Sequence, residues 1–210
     1  MYLSTKYYSF AIILSIRNGI YISDTLITNH HHMAFIDELR VERIKKLEAL
    51  TASGKMGYPA SSTRTHEMSS ILTNFSVLES SQEKVIVTGR VMSSRGQGAI
   101  AFIDLYDGSA RMQVVIKLPE STEEVMNFYR EYVDTGDFIE ITGTVFVTKS
   151  GQQSILVSNV TMLSKSLLPL PDKYHGLQDE ELRMRERYLD ILTNPELREL
   201  LEKKTKFWQV

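Results

Sequence analysis

Val85-Ile86-Val87-Thr88-Gly89-Arg90-Val91-Met92 opens the stretch of sequence that decides the fold. Ile100-Ala101-Phe102-Ile103-Asp104-Leu105 follows, then Arg111–Lys117, Phe138–Val147 and Ser154–Leu163. These runs are rich in β-branched and aromatic residues and are separated by turn residues, which is the pattern of short strands. A segment with helical character, Ser121–Tyr132, lies between the third run and the fourth.

Three strands, a helix and two strands is the element order of an OB-fold, a five-stranded Greek-key barrel. Alternation sorts the strand residues onto two faces. Val85, Val87, Gly89 and Val91 point one way in the first run, with Ala101, Ile103 and Leu105 in the second and Met112, Val114 and Ile116 in the third. The opposite face carries Arg90, Phe102 and Gln113. An exposed aromatic beside a guanidinium and an amide can stack a base and read its edge. The alternative is that Phe102 packs under a loop and Arg90 is ordinary surface.

Working outward, Ser93–Gly98 reads as a loop and Asp107-Gly108 as a type I′ hairpin turn. Ser121 and Glu124 have the spacing of a capping box. Lys149-Ser150-Gly151 reads as the last hairpin turn. Lys149 there is a candidate phosphate contact, or a lysine that guards a hairpin tip against aggregation. Upstream, Ala34–Leu50 reads as an amphipathic helix with Phe35, Ile36, Leu39, Ile44, Leu47 and Leu50 on one stripe. Arg40, Arg43 and Lys46 share another side, facing either solvent or RNA phosphates. Met68–Leu78 reads as a short helix, and His66 as a structural residue.

Downstream, Leu168-Pro169-Leu170-Pro171 is forced into an extended linker, because proline restricts the residue before it. Glu180–Ile191 reads as a helix. Thr193-Asn194-Pro195-Glu196 starts another, with proline in its first turn and Thr193 or Asn194 as cap. Leu197, Leu200, Leu201, Phe207 and Trp208 form its apolar side. A stripe of that kind with nothing to cover it points to a chain cut from a larger protein.

Composition limits the function classes. The chain has 210 residues, 42% hydrophobic and 24% charged, with a formal net charge of −2 and no cysteine. That is a globular composition without disulfides or thiolate metal sites, suited to the cytoplasm. Between Gln82 and Ser164, seven basic residues face ten acidic ones. A barrel with an acidic balance suits the reading of a few bases better than the tracking of a long phosphate backbone. Met1–His32 differs from the rest. Its apolar run Phe10–Leu14 is too short to span a membrane and no A-x-A-like cleavage site follows, so a signal peptide is disfavoured. His30-His31-His32 lacks the fixed geometry of a metal site. Met33 is the expected natural start, with the preceding residues a non-native or disordered extension.

The motifs then bring a resemblance into view. Arg43-Ile44-Lys45-Lys46-Leu47, Thr88-Gly89-Arg90, the run Leu168–Asp179 with its His175-Gly176-Leu177, and Arg183–Asp190 with Arg187-Tyr188-Leu189-Asp190 resemble the N-terminal part of bacterial-type class II lysyl-tRNA synthetases. The resemblance covers about Arg40 to Val210 and favours the lysyl type over its aspartyl and asparaginyl relatives. It implies that the barrel binds the tRNA-lysine anticodon, with Phe102 stacking the central uridine and Arg90 and Gln113 bonding to that base. It implies ATP and Mg2+ for the full-length enzyme, which joins lysine to ATP and then to tRNA, and a homodimer. The chain reaches only the beginning of the family's first motif, at Lys206–Val210, so the catalytic domain and most of the dimer interface are expected to be missing and the fragment inactive alone. No catalytic residue and no metal ligand is assigned.

The expected class is therefore mainly β with flanking helices (α+β). The expected divisions are 1–32, the extension; 33–81, an N-terminal helical segment; 82–164, the barrel; 165–192, a linker and helix; and 193–210, the start of the missing catalytic domain. A free-standing OB-fold module for single-stranded nucleic acid is the main alternative.

Overall fold

Alternating apolar residues on one side of a sheet can be buried by closing the sheet around them. That closure occurs here. In a computed structural model, β1 (Lys84–Gln97), β2 (Ile100–Tyr106), β3 (Arg111–Lys117), β4 (Phe138–Val147) and β5 (Gln153–Ser164) form a closed barrel in the order β1-β2-β3-β5-β4. The structure describes residues 24–171, 177 and 179–209. Residues 1–23 of the expected 1–32 extension, with the apolar run of the signal-peptide reading, and residues 172–176 and 178 of the linker motif lie outside the described residues.

All strand pairs are antiparallel except β3 with β5, which run parallel over Gln113–Val115. The inward residues expected from alternation are buried without exception in β1, β2 and β3. Ile103, Leu105, Ile116, Ile139, Ile141 and Ile155 are almost wholly removed from solvent. Each such side chain stabilises the fold by ~1.5–3 kcal/mol through burial alone. At the β4–β5 bulge, Gly143 is required: a Cβ there would run into the Leu156 carbonyl oxygen and the Ile155 side chain.

One strand is longer than expected. Ser93–Gly98 is not a loop, because β1 continues through Gln97 and pairs with β2 to its end. The register shifts between Val91 and Ser93, leaving Met92 as the extra residue of a β-bulge. Beyond it the outward positions are the odd-numbered Ser93 and Arg95. This extension projects past the core, so both its faces are polar and alternation carries no signal there.

The connections also differ from expectation. The β2–β3 turn is a four-residue loop rather than a type I′ turn. Tyr106 and Arg111 form the last pair, and Asp107 Oδ1 accepts bonds from Ser109 N at 2.8 Å and Ala110 N at 3.0 Å. α4 (Glu123–Tyr132) is capped by Thr122, whose hydroxyl accepts from Val125 N at 3.3 Å. Ser121 is therefore not the cap. It is buried and donates to the Val157 carbonyl at 2.6 Å.

α1 (Asp24–Ala52) extends upstream of the expected Ala34. Leu50 is buried, but Phe35 at the far end of the stripe is 60% exposed. α2 (Met68–Thr73) and α3 (Phe75–Ser81) replace the single expected helix, with the break at Asn74. α5 (Glu180–Arg185) and α6 (Arg187–Thr193) likewise split at Glu186. α7 (Pro195–Trp208) begins as expected, with Asn194 Oδ1 accepting from Leu197 N at 3.2 Å.

A buried polar network ties these pieces to the barrel. Arg43 is only 6% exposed and donates to the carbonyls of Ser166, Leu168 and Thr135 at 3.1, 2.8 and 3.0 Å. Lys165 is buried and contacts Asp134 at 2.5 Å and Asp137 at 2.7 Å, while Lys46 reaches Asp134 at 2.6 Å. Burial alone would raise the Asp134 carboxyl, but Lys165 and Lys46 hold it below its ordinary value.

Candidate nucleic-acid interface

Pairing across β1, β2 and β3 sets the outer face out in rows. Arg95, Phe102 and Val115 make one row, and Ser93, Asp104 and Gln113 make the next. Phe102 is half-buried on the outer side, and the Arg95 guanidinium lies 5.7 Å from its ring centroid. Gln113 is a diagonal neighbour of Phe102, at the ~7–8 Å spacing of such pairs, within reach of one planar ligand.

Gln113 is held in place from the far side. Its Nε2 donates to Ser154 Oγ at 2.9 Å, and that hydroxyl donates to the Gln152 carbonyl at 3.2 Å. The parallel β3–β5 pairing brings Gln113 and Ser154 together. The amide retains one N–H and its carbonyl oxygen, a donor and an acceptor for a base edge.

The structure does not bring Arg90 to Phe102. Arg90 pairs with Tyr106, four residues along β2, which is ~13 Å away at the rise of a strand. Its guanidinium is already engaged, donating to the Gly136 carbonyl at 3.1 Å and lying 4.2 Å from the Phe138 ring centroid. Burial pulls it below the ordinary guanidinium value, with Tyr188 working in the opposite direction. Tyr106 beside it is covered by the Arg111 and Arg198 guanidiniums.

The basic residue beside Phe102 is Arg95, within the Ser93–Gly98 stretch expected to be a loop. Residues equidistant from the Gly98-Ala99 turn identify it, since a two-residue turn pairs Gln97 with Ile100 and hence Arg95 with Phe102. Lys149 is exposed at the tip of the β4–β5 turn, where Thr148 Oγ1 accepts from Gln152 N at 3.0 Å. That turn leads into Ser154 and so flanks the Gln113 side of the face. Arg43 and Lys46 are not phosphate contacts, because carbonyls and Asp134 already engage them.

Among the described residues, no group of three or more His, Asp or Glu side chains is placed to hold a metal ion. Nor is any helix among them long and apolar enough to cross a membrane.

A closed five-stranded barrel in the order β1-β2-β3-β5-β4, with an aromatic ring on its outer face, defines a class. Residues 85–163 match the family of OB-fold nucleic acid binding domains. Comparison of the whole chain narrows the class further: it is similar to lysine–tRNA ligases over about a third of their length. It is 40% identical to that of Clostridium tetani (strain Massachusetts / E88) over 171 residues, covering 81% of this chain and 34% of the relative. It is 38% identical to that of Roseiflexus sp. (strain RS-1), covering 81% and 35%, and 38% identical to that of Clostridium perfringens (strain SM101 / Type A), covering 88% and 36%. The chain thus spans about a third of the length of these relatives.

Proposed function

We propose that the face built by Arg95, Phe102 and Gln113 binds the anticodon of tRNA-lysine, as the tRNA-recognising part of a lysine–tRNA ligase. The observation that carries this is Phe102 lying beneath Arg95 and diagonal to a Gln113 amide that Ser154 holds in place. An unpaired base is recognised by stacking on an aromatic ring and by bonds to its Watson–Crick edge. Phe102 supplies the ring, and Gln113 and Arg95 supply edge contacts from either side of it. Lys149, exposed at the neighbouring turn, meets a phosphate of the same loop in this reading. Arg90 acts instead within the barrel, tying β1 to Gly136 and Phe138 at the start of β4.

The whole protein's reaction, under this proposal, joins lysine to its tRNA. ATP and Mg2+ belong to that whole-protein reaction under the same proposal. A homodimeric whole protein, to which the exposed Phe207 and Trp208 of α7 contribute, belongs to the same proposal.

The test is a titration of anticodon stem-loop RNAs against this chain. A stem-loop with the lysine anticodon should bind more tightly than one with a scrambled anticodon. The acidic balance of the barrel should keep the salt dependence shallow, with few phosphates neutralised. Equal affinity for the two loops, with a steep salt slope, would instead show non-specific binding to the backbone.

A further inference from the structure

One carboxylate stands in the middle of the face around Phe102. Asp104 lies two residues along β2 from Phe102, on the same side of the sheet, and is half-buried. Its cross-strand partners are Ser93 and Gln113, neither of them a cation. Arg95, one row away, lies over Phe102. A carboxylate here repels RNA phosphates and presents only acceptors. It gains from a bound RNA only where a donor N–H meets it.

The order of groups across the row is specific. Ser93 hydroxyl, Asp104 carboxylate and Gln113 amide stand on three adjacent strands, ~5 Å apart at the strand spacing. With the Gln113 N–H that Ser154 does not use, the row offers donor, acceptor, donor. The Watson–Crick edge of uracil offers the complement: O2 accepts, N3–H donates, O4 accepts. Cytosine places an acceptor at N3, where it would face the carboxylate.

We infer that Asp104 is a specificity-determining residue, accepting the N3–H of the uracil stacked on Phe102 and rejecting cytosine at that position. This rests on the proposed assignment of the face as the anticodon platform. The charge that is unfavourable for phosphate binding is the group that selects the base.

Two anticodon stem-loop RNAs, identical except for uridine or cytidine at the central anticodon position, test it by fluorescence anisotropy with the full chain. The unaltered protein should prefer the uridine RNA by about tenfold, the size of one base-edge hydrogen bond to a charged group. Asp104→Asn keeps the shape and can offer either an acceptor or a donor, so the uridine-to-cytidine ratio should fall close to one. Asp104→Ala should also lose the preference. Removing a negative charge moves both affinities together, so a purely electrostatic role leaves the ratio unchanged. Circular dichroism confirms that each variant is folded. A ratio unaltered in Asp104→Asn and Asp104→Ala, while Phe102→Ala weakens both RNAs, would overturn the role of Asp104 and leave the platform standing. No effect of Phe102→Ala on either RNA, with no preference in the unaltered protein, would remove the platform and this inference with it.

Discussion

Arg95 and Arg90 differ in what occupies their guanidiniums, and exchanging each for alanine should separate binding from stability. Arg95 is exposed, 5.7 Å from the Phe102 ring centroid, and faces the proposed base. An exposed cation–π contact contributes ~0.5–1 kcal/mol. A hydrogen bond from a charged donor adds ~1.5–3 kcal/mol. Allowing for solvent at this site, Arg95→Ala should weaken binding of the lysine anticodon stem-loop by ~1–3 kcal/mol, about 5- to 150-fold. Its melting temperature should hardly move. Arg90 donates to the Gly136 carbonyl and packs over Phe138, ~13 Å from Phe102 along the strand. Arg90→Ala should therefore cost ~1–3 kcal/mol of stability, with a drop in Tm of several degrees. Its affinity for the stem-loop, measured where the variant is folded, should stay within about twofold, less than one neutral hydrogen bond. Anisotropy titrations and thermal melts of both variants give the comparison. Weakened binding in Arg90→Ala, with Arg95→Ala unaffected, would refute the placement of the site.

Two further outcomes concern the frame that holds the face. Lys165→Met leaves Asp137 buried without its cation and should destabilise the chain by ~3–5 kcal/mol in guanidinium titrations; Lys165→Met combined with Asp137→Asn should recover part of that loss, and a cost below ~1 kcal/mol for the single change would mean the pair is dispensable. Burial alone would raise the Asp107 carboxyl, but backbone N–H groups of Met68, Ala110 and Ser109 hold it below its ordinary value. A depressed folded-state value stabilises the protein above the unfolded carboxyl value and ceases to do so as pH falls through the folded one. Asp107→Asn should therefore lower Tm at pH 7, with the gap to the unaltered protein closing below about pH 4; a gap independent of pH would contradict that origin.

The barrel was legible because its core residues obey a period of two. β4 falls on Phe138–Val147 as the pattern required, and the inward sets of β1, β2 and β3 are the buried ones. α7 was legible through its local chemistry, an Asn-Pro start with a side-chain cap. What escaped were features fixed by pairing rather than by pattern. The second half of β1 has polar residues on both faces, so Arg95 looked like part of a loop. Alternation places Arg90 and Phe102 on one face but gives no position along it, and the row is set by the Gly98-Ala99 turn and the bulge at Met92. Arg43 looked like a surface cation because its partners are carbonyls more than ninety residues away, which no local spacing reveals. Ser121 and Thr122 both suit a cap, and burial against Val157 decides between them.

Phe102→Ala tests the anticodon platform most directly, because the ring lies on the outer face and its removal leaves the buried core intact. Binding of the lysine anticodon stem-loop should weaken by ~1–3 kcal/mol, the stacking contribution of one base, with the melting temperature maintained. An affinity equal to that of the unaltered protein would contradict recognition at Phe102.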